Sequence, residues 1–254
     1  MNLPVLAGPH ARISCIICAY NEAPRIAQGL AIAASHGLID EVIVVDDGST
    51  DGTAEVVRRF PSVRLVIHPE NRGKSYAMAT GVAAARNELL LLLDADLKGL
   101  SAADLTALAA PVLSGRTYVS LSLRRNSLLI FRALGLDFVS GERVIRRDLL
   151  SQALAEVRAL PRFGIEVFMN RAIIEQRLSI AVAHWPQVTQ ARKTEKLGLI
   201  KGLRAEWRMI ADLLRVAYPR VLIAQTYHLL RLRQTQPETA GFVVRVRQAR
   251  AHRI

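Results

Sequence analysis

Apolar runs of five to eight residues recur along the first hundred positions, and each gives way to a polar loop and then to a stretch with helical spacing. Ile13 to Tyr20 (I-S-C-I-I-C-A-Y) predicts a first strand ending in Asn21-Glu22. A helix from about Ala23 to Ser35 follows, with Pro24 at an early helical position and Gly37 just past its end. Glu41 to Val45 predicts a second strand that runs into Asp46–Thr53, a loop of helix-capping residues. The next helix, Ala54 to Phe60, is closed by Pro61; a third strand, Arg64 to His68, leads through Pro69–Ser75 into a helix ending near Arg86. Glu88 to Asp96 then reads E-L-L-L-L-L-D-A-D, and five leucines with no polar partner predict a strand buried on both faces. Strands alternating with helices at such short intervals predict an α/β fold: a mostly parallel sheet wound by right-handed crossovers and flanked by helices, with its loops on one edge.

The later chain is less regular. Ser101 to Ala110 reads as a capped helix, Thr117 to Leu123 as a strand with Arg124-Arg125 at its end, and Phe163 to Asn170 as the opening of a helix. From Lys196 to Tyr218 a helical period places Leu199, Leu203, Trp207, Ile210 and Leu214 on one face and Lys201, Arg204, Arg208 and Arg215 on the other. The same stripe would suit packing on a core, but cations opposite a Trp favour an anionic lipid surface. Arg220 and Val221 to Ala224 after Pro219 could begin a second such helix, and Gln234 to Ile254 reads as a basic tail. The expected division is one domain over residues 12–190 and a basic helical C-terminal appendage over 191–254.

Charge sharpens that division. The formal net charge is +12, and from Ala191 onward 14 Lys and Arg face 4 acids, so the basic excess is concentrated in the last quarter. Anionic partners follow: nucleotides, phosphates, nucleic acid or acidic lipid. The two cysteines, Cys15 and Cys18, form a C-x-x-C, but residues three apart on a strand point to opposite faces and no second pair completes a zinc site. Buried free thiols in a reducing compartment are expected. Met1 to Ala11 lacks the pattern of a secretion signal and no 18 apolar residues run together, so the expected location is cytoplasmic, peripheral on the inner face of the membrane.

The chemistry gathers at loop positions. Asp94 and Asp96 arrive at the carboxyl end of the leucine strand, where open α/β sheets bind ligands, and two close carboxylates call for a counter-charge. Hard oxygen donors suit Mg²⁺ or Mn²⁺. The bland alternative is that both acids cap the helix near Ser101. Gly73-Lys74-Ser75 fails as a P-loop, because His68 stands where that motif needs its first glycine, yet Arg72 and Lys74 at a helix start can still receive phosphate.

Taken together, A-Y-N-E at Ala19 to Glu22, V-V-D-D-G-S-T-D-G-T at Val44 to Thr53, N-R-G-K-S-Y-A at Asn71 to Ala77 and the D-A-D resemble family 2 glycosyltransferases of the GT-A fold. The resemblance implies that Ala19, Tyr20, Asn21, Glu22, Asp46 and Asp47 contact the nucleoside, that Arg72 and Lys74 lie near the base or diphosphate, and that Asp96 binds the metal with Asp94 beside it. Cys18 departs from the family where many members carry proline.

Leu136 to Leu150 (L-D-F-V-S-G-E-R-V-I-R-R-D-L-L) is similar to a segment of the dolichyl-phosphate mannose synthase branch, with Asp137, Ser140, Gly141 and Arg143 matching and Val139 and Glu142 departing. That resemblance implies a polyprenyl phosphate acceptor held by Arg124, Arg125, Ser140 and Arg143, with Glu166 lining the acceptor side. A hydroxyl acceptor would instead need a base, for which Glu142 or Asp137 would serve. Glu142 could equally be an ion-pair partner of Arg143, Arg146 and Arg147, and Glu166 a paired structural acid. The expected function is metal-dependent transfer of a sugar from a nucleotide-diphosphate sugar to a polyprenyl phosphate. The rivals are a transferase to a soluble hydroxyl or phosphorylated acceptor, similar to glucosyl-phosphoglycerate synthases, and a basic nucleic-acid-binding protein. The last lacks any RRM, zinc-finger or helix-turn-helix signature, and no nucleic acid is expected as a partner.

Overall fold

The computed structural model describes residues 12–161, 164–191 and 219–234. The amphipathic stretch Lys196 to Tyr218 and the tail beyond Gln234 lie outside these residues. In the first half, strands β1 (Ile13–Ala19), β2 (Ile39–Asp46), β3 (Val63–Ile67) and β4 (Leu89–Asp94) alternate with helices α1 (Ile26–Ser35), α2 (Thr53–Arg58) and α3 (Lys74–Ala84). All pair in parallel, β1 lying between β2 and β4. After the short β5 (Leu97–Lys98) come α4 (Ala102–Leu113), β6 (Val119–Arg124), α5 (Leu129–Leu134) and β7 (Arg143–Arg146). Helices α6 (Asp148–Ser151), α7 (Leu154–Ala159) and α8 (Gly164–Glu175), strands β8 (Ile180–Trp185) and β9 (Thr189–Gln190), and helix α9 (Pro219–Leu232) complete the described chain. The main sheet has seven strands in the order β3-β2-β1-β4-β7-β6-β8. Only β7 runs against its neighbours, β4 and β6.

The leucine strand sits where its composition requires. Leu90 and Leu92 join Ile16, Ile43 and Ile145 on one side of the sheet, while Leu89, Leu91 and Leu93 join Ile17, Val44 and Leu108 on the other. With both faces covered, truncating any one of these leucines to Ala would cost on the order of 2–5 kcal/mol. The cysteines obey the same alternation: Cys15 lies in the second cluster and Cys18 packs against the first, so the C-x-x-C holds two separated free thiols.

Helix α4 is capped by its own Ser101, whose hydroxyl accepts from Asp104 N while the Asp104 carboxylate accepts from Ser101 N. Ser101, and neither acid of the D-A-D, is the N-cap. Beyond α4, β6 and α8 fall where the sequence places a strand and a helix, whereas β8 is not among the expected strands and β7 and α5 to α7, of four to six residues each, carry too few residues for a periodic signal. Helix α9 does pick up the apolar run after Pro219. Two turns of it dock on the domain: Leu222 and Leu229 are buried in the first cluster, and Gln234 N donates to Ile180 O. Among the described residues no helix is long and apolar enough to cross a membrane.

Candidate active site

The carboxyl ends of β1, β2, β4 and β6 meet along one edge, and their loops are laced together by side chains. Asn21, in the left-handed region at φ 55°, donates its N–H to Ser49 Oγ (2.9 Å) and accepts from Thr50 N at Oδ1 (2.9 Å). Glu22 N donates to Thr53 Oγ1 (2.9 Å), so A-Y-N-E and the loop after β2 form one unit. Tyr20 stays 47 % exposed beside it. Gly48 is needed here twice over: its φ is +72°, and a Cβ would lie 2.5 Å from the Glu70 backbone.

Asp46 and Asp47 are both buried. Asp46 Oδ1 accepts from Ser49 N (2.9 Å), closing the turn. Asp47 accepts from Gly73 N (2.7 Å), Arg72 N (3.1 Å) and His68 Nδ1 (2.8 Å), so both its oxygens hold the loop that starts α3. His68 Nε2 contacts Thr80 Oγ1 (3.0 Å), bracing that carboxylate from α3. Sequence reasoning missed His68, although a histidine ending an apolar strand beside two acids is a usable signal. Arg72 is exposed, its guanidinium 3.7 Å from the Tyr76 ring centroid and its Nη1 donating to the Tyr76 hydroxyl (2.6 Å).

Lys74 reaches across to β4 and α8. Its Nζ donates to Asp94 Oδ1 (3.0 Å) and Glu166 Oε1 (2.9 Å). Burial acts to lower the ammonium's pKa, but the charges of Asp94 and Glu166 outweigh it and hold the group well above the ordinary lysine value. The same contest leaves the Asp94 carboxyl below its usual range: burial pushes it up, and Lys74 and Arg124 pull it further down. Lys74 thus supplies Asp94 with a counter-charge from within the protein. The resemblance puts Lys74 near the base or diphosphate, and its ammonium bonds to these two carboxylates. Gly141 makes the pair possible, since a Cβ there would lie 2.8 Å from both Asp94 Oδ1 and Lys74 Nζ.

The acceptor half is a second charged network, buried under the first. Arg124 donates to Glu142 Oε1 (2.8 Å) and Gln190 Oε1 (3.0 Å), and its guanidinium stands 3.6 Å from Asp137 and 3.9 Å from Asp94. Glu142 Oε2 accepts from Ser122 and Ser140 hydroxyls, both at 2.7 Å, and the residue is fully buried. Burial raises its pKa, against the pull of Arg124. Glu142 is thus an ion-pair partner, but of Arg124, not of Arg143, Arg146 or Arg147. Asp137 is equally enclosed, accepting from Ser127 Oγ (2.7 Å) and Val139 N (3.2 Å).

Arg143 and Ser140 require the same correction. Arg143 is fully buried, donating to Ser140 O (2.9 Å), Phe138 O (2.8 Å) and Asn170 Oδ1 (2.7 Å). Burial pushes its guanidinium down to about 10. It pins the loop before β7 instead of holding an acceptor phosphate. Of the arginines expected there, Arg125 alone is exposed. Gln190 is not singled out from sequence, yet its amide donates to Asp94 Oδ2 (3.1 Å) and accepts from Arg124, standing between carboxylate and guanidinium. Glu166 keeps one buried oxygen, Oε2, without a hydrogen-bond partner.

Asp96, two residues after Asp94, is 6 % exposed where β5 pairs with β9, and Ala191 N donates to Asp96 O (3.1 Å). Among the described residues no group of three His, Cys, Asp or Glu side chains could enclose a metal. The donor set instead fits Mg²⁺ or Mn²⁺ of the kind that takes one or two carboxylates and completes its shell with substrate phosphates and water.

Known proteins resemble this chain in sequence and in fold. Residues 14–128 match the family model described as Glycosyl transferase family 2. Dolichyl-phosphate beta-glucosyltransferase ALG5C of Trichomonas vaginalis is 37 % identical over 94 residues, covering 32 % of this chain and 28 % of that protein. The human dolichyl-phosphate beta-glucosyltransferase is 33 % identical over 104 residues, 35 % of this chain and 32 % of its own length. The match therefore spans about a third or less of these relatives. Among solved structures, glucosyl-3-phosphoglycerate synthase of Mycobacterium tuberculosis, in complex with Mn²⁺, UDP and glucosyl-3-phosphoglycerate, superposes with a TM-score of 0.62 at 25 % identity, covering 82 % of this chain and 80 % of that one. With the mostly parallel sheet, the D-A-D at the end of β4 and the laced loops beside it, these likenesses identify residues 14–128 as a family 2 glycosyl transferase domain, and the chain as one with the GT-A fold.

Proposed function

We propose that this protein transfers a sugar from a nucleotide-diphosphate sugar to a phosphate-bearing acceptor, a polyprenyl phosphate presented at the cytoplasmic face of a membrane. One observation carries the choice of acceptor. Both carboxylates that could have activated a hydroxyl, Glu142 and Asp137, are buried and bonded to Arg124, Ser122, Ser140 and Ser127. A hydroxyl acceptor requires a positioned base, whereas a phosphate is already an anionic nucleophile. Arg125, exposed at the end of β6, is the cation that would meet it.

On the donor side, Ala19 to Glu22 and the loop after β2 would cradle the nucleoside, with Asp46 and Asp47 shaping the loops that do so. Asp96, with Asp94 beside it, would hold the divalent cation. When bound, that cation neutralises charge developing on the diphosphate leaving group. Lys74 keeps Asp94 ionised and oriented, and Arg124 fixes the floor between donor and acceptor sides. The relatives that act on dolichyl phosphate favour the lipid acceptor. The solved neighbour holding glucosyl-3-phosphoglycerate favours a second reading, a soluble phosphorylated acceptor.

Mass spectrometry of products formed from a mixed nucleotide-sugar pool, Mg²⁺ or Mn²⁺ and a membrane extract separates these readings. A hexose joined to a polyprenyl phosphate is the expected product. A hexosylated small phosphate would favour the second reading, and product lacking an acceptor phosphate would reject both.

A further inference from the structure

The acceptor edge continues into a surface that water alone does not explain. Leu128, Leu129 and Ile130 are 59 %, 79 % and 62 % exposed, three large aliphatic side chains in a row directly after the Arg124–Ser127 strand end. Helix α5, which they begin, buries none of its own residues. Phe131 nevertheless stacks edge-on to Phe138 at 5.0 Å, so the turn is fixed and not a frayed end. Helix α9 is braced to it: Arg233 Nη1 donates to Leu134 O (3.2 Å) and Gly135 O (3.1 Å). On the outer face of α9, Ile223 (69 % exposed) and Tyr227 (56 % exposed) stand between Arg220 and Arg231.

We propose that this shoulder, the start of α5 together with the outer face of α9, is the surface on which the protein docks to an anionic lipid bilayer. The inference rests on the membrane-held acceptor proposed above and names the face that meets it. Charge selects the occupant. Arg125 and Arg132 flank the α5 aliphatics and are exposed, and neither 119–136 nor 219–234 contains an acidic residue. A second copy of the chain seated face to face would oppose arginine with arginine. The chain's own segments 192–218 and 235–254 carry seven cations against three acids and four against one, the same sign as the shoulder. An anionic lipid surface is complementary to both the aliphatics and the arginines. Docked this way, the exposed Arg125 faces the headgroup layer in which an acceptor phosphate lies.

The test is flotation of the full chain with phosphatidylcholine vesicles and with vesicles containing phosphatidylglycerol, comparing wild type with Leu129→Ser/Ile130→Ser and with Arg132→Gln. Both changes are at exposed positions, and urea denaturation confirms that the variants fold. Wild type is expected to bind the anionic vesicles and the double serine variant to bind them about tenfold more weakly or less. Arg132→Gln should lower binding to anionic vesicles and leave phosphatidylcholine unaffected. Binding undiminished in the double variant, binding indifferent to lipid charge, or a wild-type dimer abolished by the same two serines would overturn the proposal. Transfer to a detergent-solubilised polyprenyl phosphate is measured alongside. If wild type floats but does not glycosylate that acceptor, the acceptor reading fails and the docking surface stands; if it glycosylates it but does not float, the reverse holds.

Discussion

Lys74, the first residue of α3, places its ammonium 3.0 Å from the carboxylate of Asp94, the last residue of β4, so the start of α3 and the D-A-D are joined by an ion pair. Removing the cation takes from Glu166 its ion-pair partner and leaves Asp94 only the Arg124 guanidinium, 3.9 Å away, as counter-charge. Because the Lys74 side chain is 37 % exposed, solvent screens part of the loss, and Lys74→Met should cost about 2 kcal/mol instead of the larger figure of a dry pair. Urea denaturation measures it. Transfer should fall more steeply, since Asp94 loses its orientation.

The pH dependence of that difference follows from the direction of each shift. Asp94 is held low, so its contribution is complete above about 3.9, the unfolded value, and is lost as pH falls through the folded one. Lys74 is held high, so its contribution is complete below about 10.4 and is lost as pH rises through the folded value. Wild type minus Lys74→Met should therefore be flat from about pH 5 to 9 and shrink on either side. A difference that climbs steadily across neutrality would show that another group carries it.

Gly141 is the spatial complement of this pair. Gly141→Ala sets a methyl 2.8 Å from both Asp94 Oδ1 and Lys74 Nζ, and one of them must move. The expected loss is about 1–3 kcal/mol of stability with at least a tenfold fall in transfer rate. Unchanged rate and stability would mean that the pair yields freely and does not position Asp94.

Arg143→Met should act on folding, not on acceptor affinity. Two buried acceptors, Ser140 O and Asn170 Oδ1, lose their donor, and Phe138 O keeps only the Asn170 amide, a loss on the order of 3 kcal/mol. The acceptor KM of whatever folded enzyme remains should match wild type. A raised KM at unchanged stability would return Arg143 to the acceptor site.

Both thiols should be inert in the native protein. Burial pushes the Cys15 thiol far up and Cys18 to about 12, so little thiolate exists at pH 8. Iodoacetamide should label neither until urea unfolds the chain. Native labelling of Cys18 at the rate of a free thiol would contradict the packing of β1.

Most of the sheet was legible because each of its first four strands announces itself by an apolar run and ends in chemistry. The leucine strand, the opposed cysteines and the three donor loops all follow from that pattern. What stayed hidden was the direction in which side chains discharge their bonding. That Asp47 fastens the loop at Arg72 and Gly73, and Arg143 a buried turn, is not readable from a motif, because the backbone groups they bond lie 25 or more residues away or come together only in the fold. Glu142 found Arg124 across β6 and β7, a pairing that antiparallel register decides and local spacing cannot. Gln190 matters only through the β5–β9 pairing that brings it over Asp94, and two-residue strands leave no periodic trace.

The central claim is phosphate-directed, metal-dependent sugar transfer, and one assay addresses it directly. Labelled nucleotide sugar is offered with Mg²⁺ or Mn²⁺ to a polyprenyl phosphate and to the same polyprenol without phosphate, using wild type and Asp96→Asn. Label should enter the phosphate-bearing lipid alone, and Asp96→Asn should reduce that transfer at least about a hundredfold while melting like wild type. Equal labelling of the polyprenol, or full activity in Asp96→Asn, would contradict the account.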